Sequence, residues 1–179
     1  MSTGGKKIAV IGAGPAGYTA AQELSKNGYT VDIYDKEDRL GGAIYTGIPE
    51  YRMSKIFLDK VFASMKEDKN ITFHFNTKID CERFESLRKN YDKVLVATGA
   101  QIENTYGFEP GNGLYAGLTL LYDLNIRGNH EYYKKYKKAM VWGGGNVAMD
   151  CARSLVRIID DVSVVYRRSE EEITANKSE

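Results

Sequence analysis

The chain is 179 residues long, 42% hydrophobic and 27% charged, with a formal net charge of +1. That length allows one good core, or one domain and part of another, and the composition is that of an ordinary globular protein. Near-neutral charge gives no electrostatic basis for a nucleic-acid or anionic-membrane partner, and no apolar run approaches the roughly 20 residues of a bilayer-spanning helix.

The leading residues Met1 to Lys7 run straight into an apolar strand and do not read as a signal peptide. Lys7-Ile8-Ala9-Val10-Ile11 is a buried-strand pattern that enters Gly12-Ala13-Gly14-Pro15-Ala16-Gly17, a glycine turn at the spacing of a dinucleotide-binding fingerprint. In such a turn the first glycine permits the bend, the second lets backbone approach a pyrophosphate, and the third lets helix and strand pack closely. Free N–H groups at the helix start, with the helix dipole behind them, favour the phosphates. A helix is predicted over 15–27, with Ala16, Ala20, Ala21 and Leu24 facing a sheet and Gly28 as its stop. A second strand over 30–34 ends at Asp35, close to where an acid meets a ribose hydroxyl in this kind of unit.

The stretch from Asp38 to Arg52 is too rich in glycine for a helix and too apolar for a free linker. It reads as a functional loop lying along a flat ligand, with Gly41 and Gly42 giving backbone access; the alternative is a surface crossover. Ser54 is placed to cap a helix whose apolar face carries Ile56, Phe57, Val61 and Met65. A third strand over 71–75 carries His74, read as a hydrogen-bonded structural histidine, and a short helix through Phe84, Leu87 and Arg88 follows. A fourth strand over 91–97 is apolar in its second half, as a central parallel strand should be, and stops at Thr98-Gly99-Ala100. Residues 101–113 read as a loop and 118–124 as a helix, while the tyrosine- and lysine-rich run over 131–138 reads as a solvated face. Cys81 and Cys151 show no C-x-x-C and no metal-ligand spacing, so they read as packing residues of a reduced, cytoplasmic protein with no metal site.

The opening pattern then recurs. Ala139-Met140-Val141-Trp142 is a strand, Gly143-Gly144-Gly145-Asn146-Val147-Ala148 is a G-x-G-x-x-A turn, Met149, Ala152, Leu155 and Val156 share a helix face, and residues 162–166 form a strand. No acid ends this strand. Arg167 and Arg168 stand there, suited to the 2′-phosphate of NADP through paired charge-assisted hydrogen bonds, where an acid would repel it. The plain alternative is a pair of exposed arginines ahead of Glu170, Glu171 and Glu172.

One fingerprint ending in an acid and one ending in arginines resembles the two-dinucleotide-binding flavoproteins. More narrowly, the chain resembles the glutamate synthase small subunit and its relatives, including the flavin region of dihydropyrimidine dehydrogenase. Five stretches carry the likeness in order: Gly12 to Gly17; Gly41-Gly42 with Gly47-Ile48-Pro49-Glu50-Tyr51-Arg52; Ala97-Thr98-Gly99; Gly143 to Asp150; and Tyr166-Arg167-Arg168. Met53-Ser54 departs from the family's Leu-Pro, and Ile173-Thr174 from its Met-Pro.

The resemblance implies an α/β fold: a Rossmann-like FAD-binding domain with a parallel sheet over 1–113, a connecting segment over 114–138, and the first βαβ unit of a second, incomplete Rossmann-like NADP-binding domain over 139–179. It implies FAD at Gly12, Gly14, Pro15, Ala16 and Gly17 with its ribose at Asp35. Arg39, Leu40, Gly41 and Gly42 would border the flavin, and Thr98 and Gly99 would mark the crossing to the second domain. NADPH would lie at Gly143, Gly145, Asn146 and Ala148, with Arg167 and Arg168 at its 2′-phosphate. The implied chemistry is hydride transfer from nicotinamide to flavin, which needs no catalytic side-chain acid, base or nucleophile. No redox cysteine pair and no preceding iron–sulfur cysteine cluster is expected, so electrons would pass to a separate acceptor protein or subunit. Only about 40 residues follow the start of the second unit, roughly one βαβ, so a fragment, a truncated product or a split protein with a complementing C-terminal chain is expected. Two alternatives stand beside the oxidoreductase: a non-catalytic nucleotide-binding module, and a subunit active only beside that complementing chain. The tail over 175–179 is expected to be loose.

Overall fold

The computed structural model describes residues 5–177, so residues 1–4 and the last two of the expected tail, Ser178 and Glu179, lie outside the described residues. The chain forms two compact units: one holds the chain up to Tyr45 together with Met53–Gln101, the other holds Thr46–Arg52 together with the chain from Ile102.

The first unit is built on β1 (Lys7–Ile11), α1 (Pro15–Lys26), β2 (Thr30–Tyr34), α2 (Ala43–Thr46), α3 (Lys55–Met65), β3 (Ile71–His74), α4 (Cys81–Asn90) and β4 (Lys93–Val96). Its four strands are parallel in the order β3-β2-β1-β4, the half-Rossmann arrangement, with Ile8 level with Val31 and Lys93. The strand with an unbroken apolar run takes the middle of the sheet, where both faces are covered: Ile8, Ala9, Val10 and Ile11 are all buried. The fourth strand, expected at the centre, is the edge instead, and its Leu95 and Val96 are exposed, Val96 by 58%.

Helix faces also depart from the expected stripes. Gly17, Ala21 and Ser25 form the buried line of α1, at strict four-residue spacing, and this turns Ala16 outward. On α3, Leu58 and Phe62 are buried, while Ile56 and Phe57 are exposed, and Ser54 holds the N-cap position without a side-chain cap bond. Residues 43–46 form a helical turn despite the glycines before them, because Ile44 and Tyr45 N–H donate back to the Gly41 and Gly42 carbonyls. The histidine reading matches the structure: His74 Nε2 lies 3.0 Å from Asp32 Oδ1 and its ring stacks on Tyr34.

Asp32 is a buried carboxylate in the middle of β2, held by Lys7 Nζ at 2.7 Å, the Tyr91 hydroxyl at 2.7 Å and His74. Burial pushes its pKa up, but the hydrogen bonds from Lys7, Tyr91 and His74 prevail and hold it below the usual carboxylate value.

The second unit carries α5 (Gly117–Asn125), α6 (His130–Tyr133), β5 (Lys138–Trp142), α7 (Asn146–Leu155) and β6 (Asp161–Val165). β5 and β6 pair in parallel, Lys138 level with Asp161 and Trp142 level with Val165. Leu120, Leu121, Leu124, Tyr133, Cys151, Leu155 and Ile159 form its core. Tyr133 is therefore a core residue within the tyrosine–lysine run expected to be a solvated face; its hydroxyl donates to the buried Asp123. The longer stretch of this unit runs from Ile102, upstream of the bounds expected at 114 and 139, and two sets of contacts hold its first residues there. Glu103 accepts the Leu118 and Thr119 N–H groups at the start of α5, and Tyr106 and Phe108 lie against Trp142. Thr46–Arg52 belongs here because Arg52 Nη1 pairs with Asp150 Oδ2 at 2.6 Å, Tyr51 donates to the Asp150 carbonyl, and Asn125 donates to the Thr46 carbonyl. The tail expected to be loose is tied down at Ala175 and Asn176.

Candidate dinucleotide-binding turns

In the first unit, three of the sequence stretches meet on backbone contacts. The first glycine turn passes from β1 to α1, with Gly12 N–H donating to the Tyr34 carbonyl at 2.8 Å. Gly12 has φ +110°, and a Cβ there would overlap the Ala97 carbonyl oxygen, so only glycine lets Ala97-Thr98 lie against the turn. Gly42, at φ +51°, would place a Cβ 2.8 Å from the Gly14 Cα, and Gly41 N–H donates to the Ala13 carbonyl at 3.0 Å. Backbone contacts thereby hold the Gly41-Gly42 loop against the turn.

Gly14 is the least confined of these: a Cβ on it would meet only the Gly42 Cα, at 3.8 Å, an ordinary contact distance. Gly14 is also the N-cap of α1 and Pro15 its first residue, so the Ala16 and Gly17 N–H groups have no acceptor within the helix. Those donors beside the loosely packed Gly14 suit an anion. Asp35 stands next to them, its Oδ2 accepting the Ala13 N–H at 2.6 Å and its Oδ1 the Glu37 N–H at 2.8 Å. Each carboxylate oxygen keeps a further lone pair, enough to accept ribose hydroxyls while the backbone fixes the group.

Two expected border residues are placed unlike each other. Leu40 is 1% exposed, so its side chain belongs to the core and only its backbone is near the loop surface. Arg39 forms a two-bond pair with Asp38 (2.5 and 2.8 Å), and also donates to the Tyr45 hydroxyl at 3.1 Å. The Asp38 hydrogen bonds raise the guanidinium's pKa still further. Thr98 and Gly99 are exposed, with the Thr98 carbonyl accepting from Gln101.

In the second unit, the turn from β5 to α7 has the same form. Gly143 N–H donates to the Val165 carbonyl at 2.9 Å, Gly145 is the N-cap and Asn146 the first helical residue. Ala148 takes the third small position, where a Cβ on Gly143 would come within 3.2 Å of the Ala148 Cβ. Arg167 and Arg168 follow β6 and are exposed. The turn that follows them was invisible in the sequence: Ser169 and Glu172 form a capping box, and Tyr166 donates to the Glu172 carbonyl at 3.2 Å. Thr174, Ala175 and Asn176 then bond back onto the turn. The Ile173-Thr174 departure was the one signal that this segment is distinct.

Cys151 is buried with its thiol 3.5 Å from the Gly117 carbonyl, and burial pushes its pKa up to about 12; Cys81 is exposed. Among the described residues there is no cluster of three or more His, Cys, Asp or Glu able to hold a metal, and no helix long and apolar enough to cross a membrane.

The sequence profile of the family described as pyridine nucleotide-disulphide oxidoreductase matches residues 6–177. The chain is 38% identical over 183 residues to the beta subunit of the NADP(+)-dependent formate dehydrogenase of Moorella thermoacetica, covering 99% of this chain and 26% of that protein. It is 32% identical over 190 residues to the glutamate synthase [NADPH] small chain of Escherichia coli strain K12, covering 98% of this chain and 39% of that one. Among solved structures, FprA of Mycobacterium tuberculosis in complex with NADPH superposes with a TM-score of 0.83 at 22% identity, over 97% of this chain and 46% of that chain. The likeness to FprA establishes the Rossmann-like α/β fold. The chain spans between 26% and 39% of the length of these curated relatives.

Proposed function

The chain belongs to the pyridine nucleotide-disulphide oxidoreductase family, and from that premise we propose that it carries the FAD site and the opening NADPH-binding unit of a flavoprotein oxidoreductase. The observation that carries the reading is the pair of strand–glycine turn–helix crossings that end differently, one beside Asp35 and one beside exposed Arg167 and Arg168. When bound, FAD would take a hydride from the nicotinamide of NADPH and release electrons to an acceptor.

The protein's own share is to bind and orient. Gly12, Gly14, Pro15, Ala16 and Gly17 present helix-start donors to the FAD pyrophosphate, and Asp35 accepts the ribose hydroxyls. The backbone of Arg39, Leu40, Gly41 and Gly42 forms the border of the flavin, with the Asp38–Arg39–Tyr45 bonds stiffening that loop. Thr98 and Gly99 close the approach from the end of β4. Gly143, Gly145, Asn146 and Ala148 receive the NADPH pyrophosphate, and Arg167 and Arg168 the 2′-phosphate. No side chain acts as an acid, base or nucleophile.

A separate protein or subunit serves as electron acceptor, and a complementing chain completes the second unit. The second part rests on apolar surface: Met140 and Trp142 on β5 are 69% and 61% exposed, although parallel sheets are covered on both faces. Likeness to the glutamate synthase [NADPH] small chain of Escherichia coli supports the NADPH assignment.

Purification with added FAD and anaerobic NADPH titration test the reading. A bound flavin spectrum that bleaches with NADPH is expected, in this chain alone or once the complementing polypeptide is added. Failure to acquire a flavin spectrum from FAD in either case would sink it.

A further inference from the structure

The segment after the arginine pair folds back onto the second glycine turn, and the contacts are all to atoms that set the turn's shape. The buried Gly144 carbonyl accepts three bonds: from Thr174 N–H at 3.0 Å, Ala175 N–H at 2.9 Å and the Thr174 hydroxyl at 3.2 Å. The Asn146 Oδ1 accepts the Asn176 N–H at 2.9 Å. The Tyr166 ring closes on Gly144 so nearly that a Cβ there would stand 2.8 Å from its Cδ2 and Cε2.

We propose that Thr174, Ala175 and Asn176 are positioning residues that aim the donors of this turn at a dinucleotide pyrophosphate. A trans peptide carries its C=O and N–H in opposite directions, so a Gly144 carbonyl anchored on the tail side points the Gly145 N–H to the other side, at the helix start. In the same way, Asn176 occupies the Asn146 Oδ1 and thereby turns its Nδ2, a two-hydrogen donor, outward. The tail supplies only N–H and O–H donors to these acceptors, so it leaves the anion-facing donors free. The segment also begins at Arg167 and Arg168, which links the groups for the 2′-phosphate to those for the pyrophosphate through ten or so residues.

The inference rests on the second turn being the NADPH site, and the test separates the two. NADPH and 2′-AMP, which has the 2′-phosphate but no pyrophosphate, are titrated calorimetrically against the full chain and its variants. Ala175→Pro, which removes one donor, is expected to weaken NADPH about tenfold and leave 2′-AMP unchanged. Thr174→Val is expected to act in the same direction by about threefold, and Thr174→Ser, which keeps the hydroxyl, to bind as wild type. Arg167→Ala weakens both ligands. Wild-type affinity for NADPH in both Ala175→Pro and Thr174→Val, or equal losses of NADPH and 2′-AMP in them, overturns the positioning role. Absence of NADPH binding by the wild-type protein, alone and with its complementing chain, overturns the site itself and this role with it.

Discussion

Gly14 and Gly17 lie in the same turn and answer to different neighbours. A Cβ on Gly17 would overlap the Gly12 carbonyl oxygen, a backbone atom that cannot swing aside, whereas one on Gly14 meets only Gly42 Cα at ordinary contact distance. Gly17→Ala should therefore cost about 2 kcal/mol or more of stability. Gly14→Ala should melt near the wild-type temperature and lose FAD affinity, because its methyl occupies the space beside the helix-start donors; thermal unfolding and flavin titration of both variants check the contrast. Asp32 yields a prediction with a sign. Its pKa is lowered in the folded state, so its contribution is complete above the unfolded value of about 4 and is lost as pH falls through the lower folded value. Asp32→Asn should cost about 1–3 kcal/mol at neutral pH, and denaturant melts should show that difference shrinking in acid. The glycine spacing was legible in the sequence because it is local. Asp32 was not, since its partners Lys7, His74 and Tyr91 arrive from three other places in the chain.

Elements were read well where period and punctuation agreed. Both strand–turn–helix units fall within a residue or two of their expected bounds, because glycine and the change of hydrophobic period mark them sharply. Order within the sheet is a different matter. β4 has the apolar content of a central strand but stands at the edge, since pairing is decided between strands and not within one. The stretch over 38–52 reads as one loop in the sequence, and its last part, Thr46–Arg52, packs within the second unit, where Arg52 meets Asp150 on α7 and Tyr51 lies under the Arg157 guanidinium at 4.0 Å. Asp150 has a side chain only 6% exposed, so removing Arg52 takes a 2.6 Å ion-pair partner from a buried charge. Arg52→Met is expected to cost the second unit about 2 kcal/mol. The double variant R52M/D150L should recover much of that loss in urea melts; a double variant as unstable as the sum of its parts would show that the pair has no energetic coupling.

At the scale of the whole molecule, the presence of two similar strand–glycine turn–helix units was legible, and so were their chemically opposite endings, Asp35 and the Arg167-Arg168 pair, because all of these are local in the sequence. The exposure of Met140, Trp142 and Val165 was not, since exposure depends on which neighbours are present and not on the residues alone. Nor did the sequence reveal that the chain passes from the first unit to the second at Tyr45, back at Met53, and over again at Ile102. That path has a consequence in time. Asp150 is synthesised 98 residues after Arg52, a wait of roughly 5–20 s at ordinary translation rates. Well before it ends, the first glycine turn and all four strands of its sheet have been made, while a short stretch from their midst still lacks its carboxylate. Ribosome-bound chains of increasing length should accordingly gain protease resistance in β1–β4 first, with residues 46–52 cleavable until α7 has emerged.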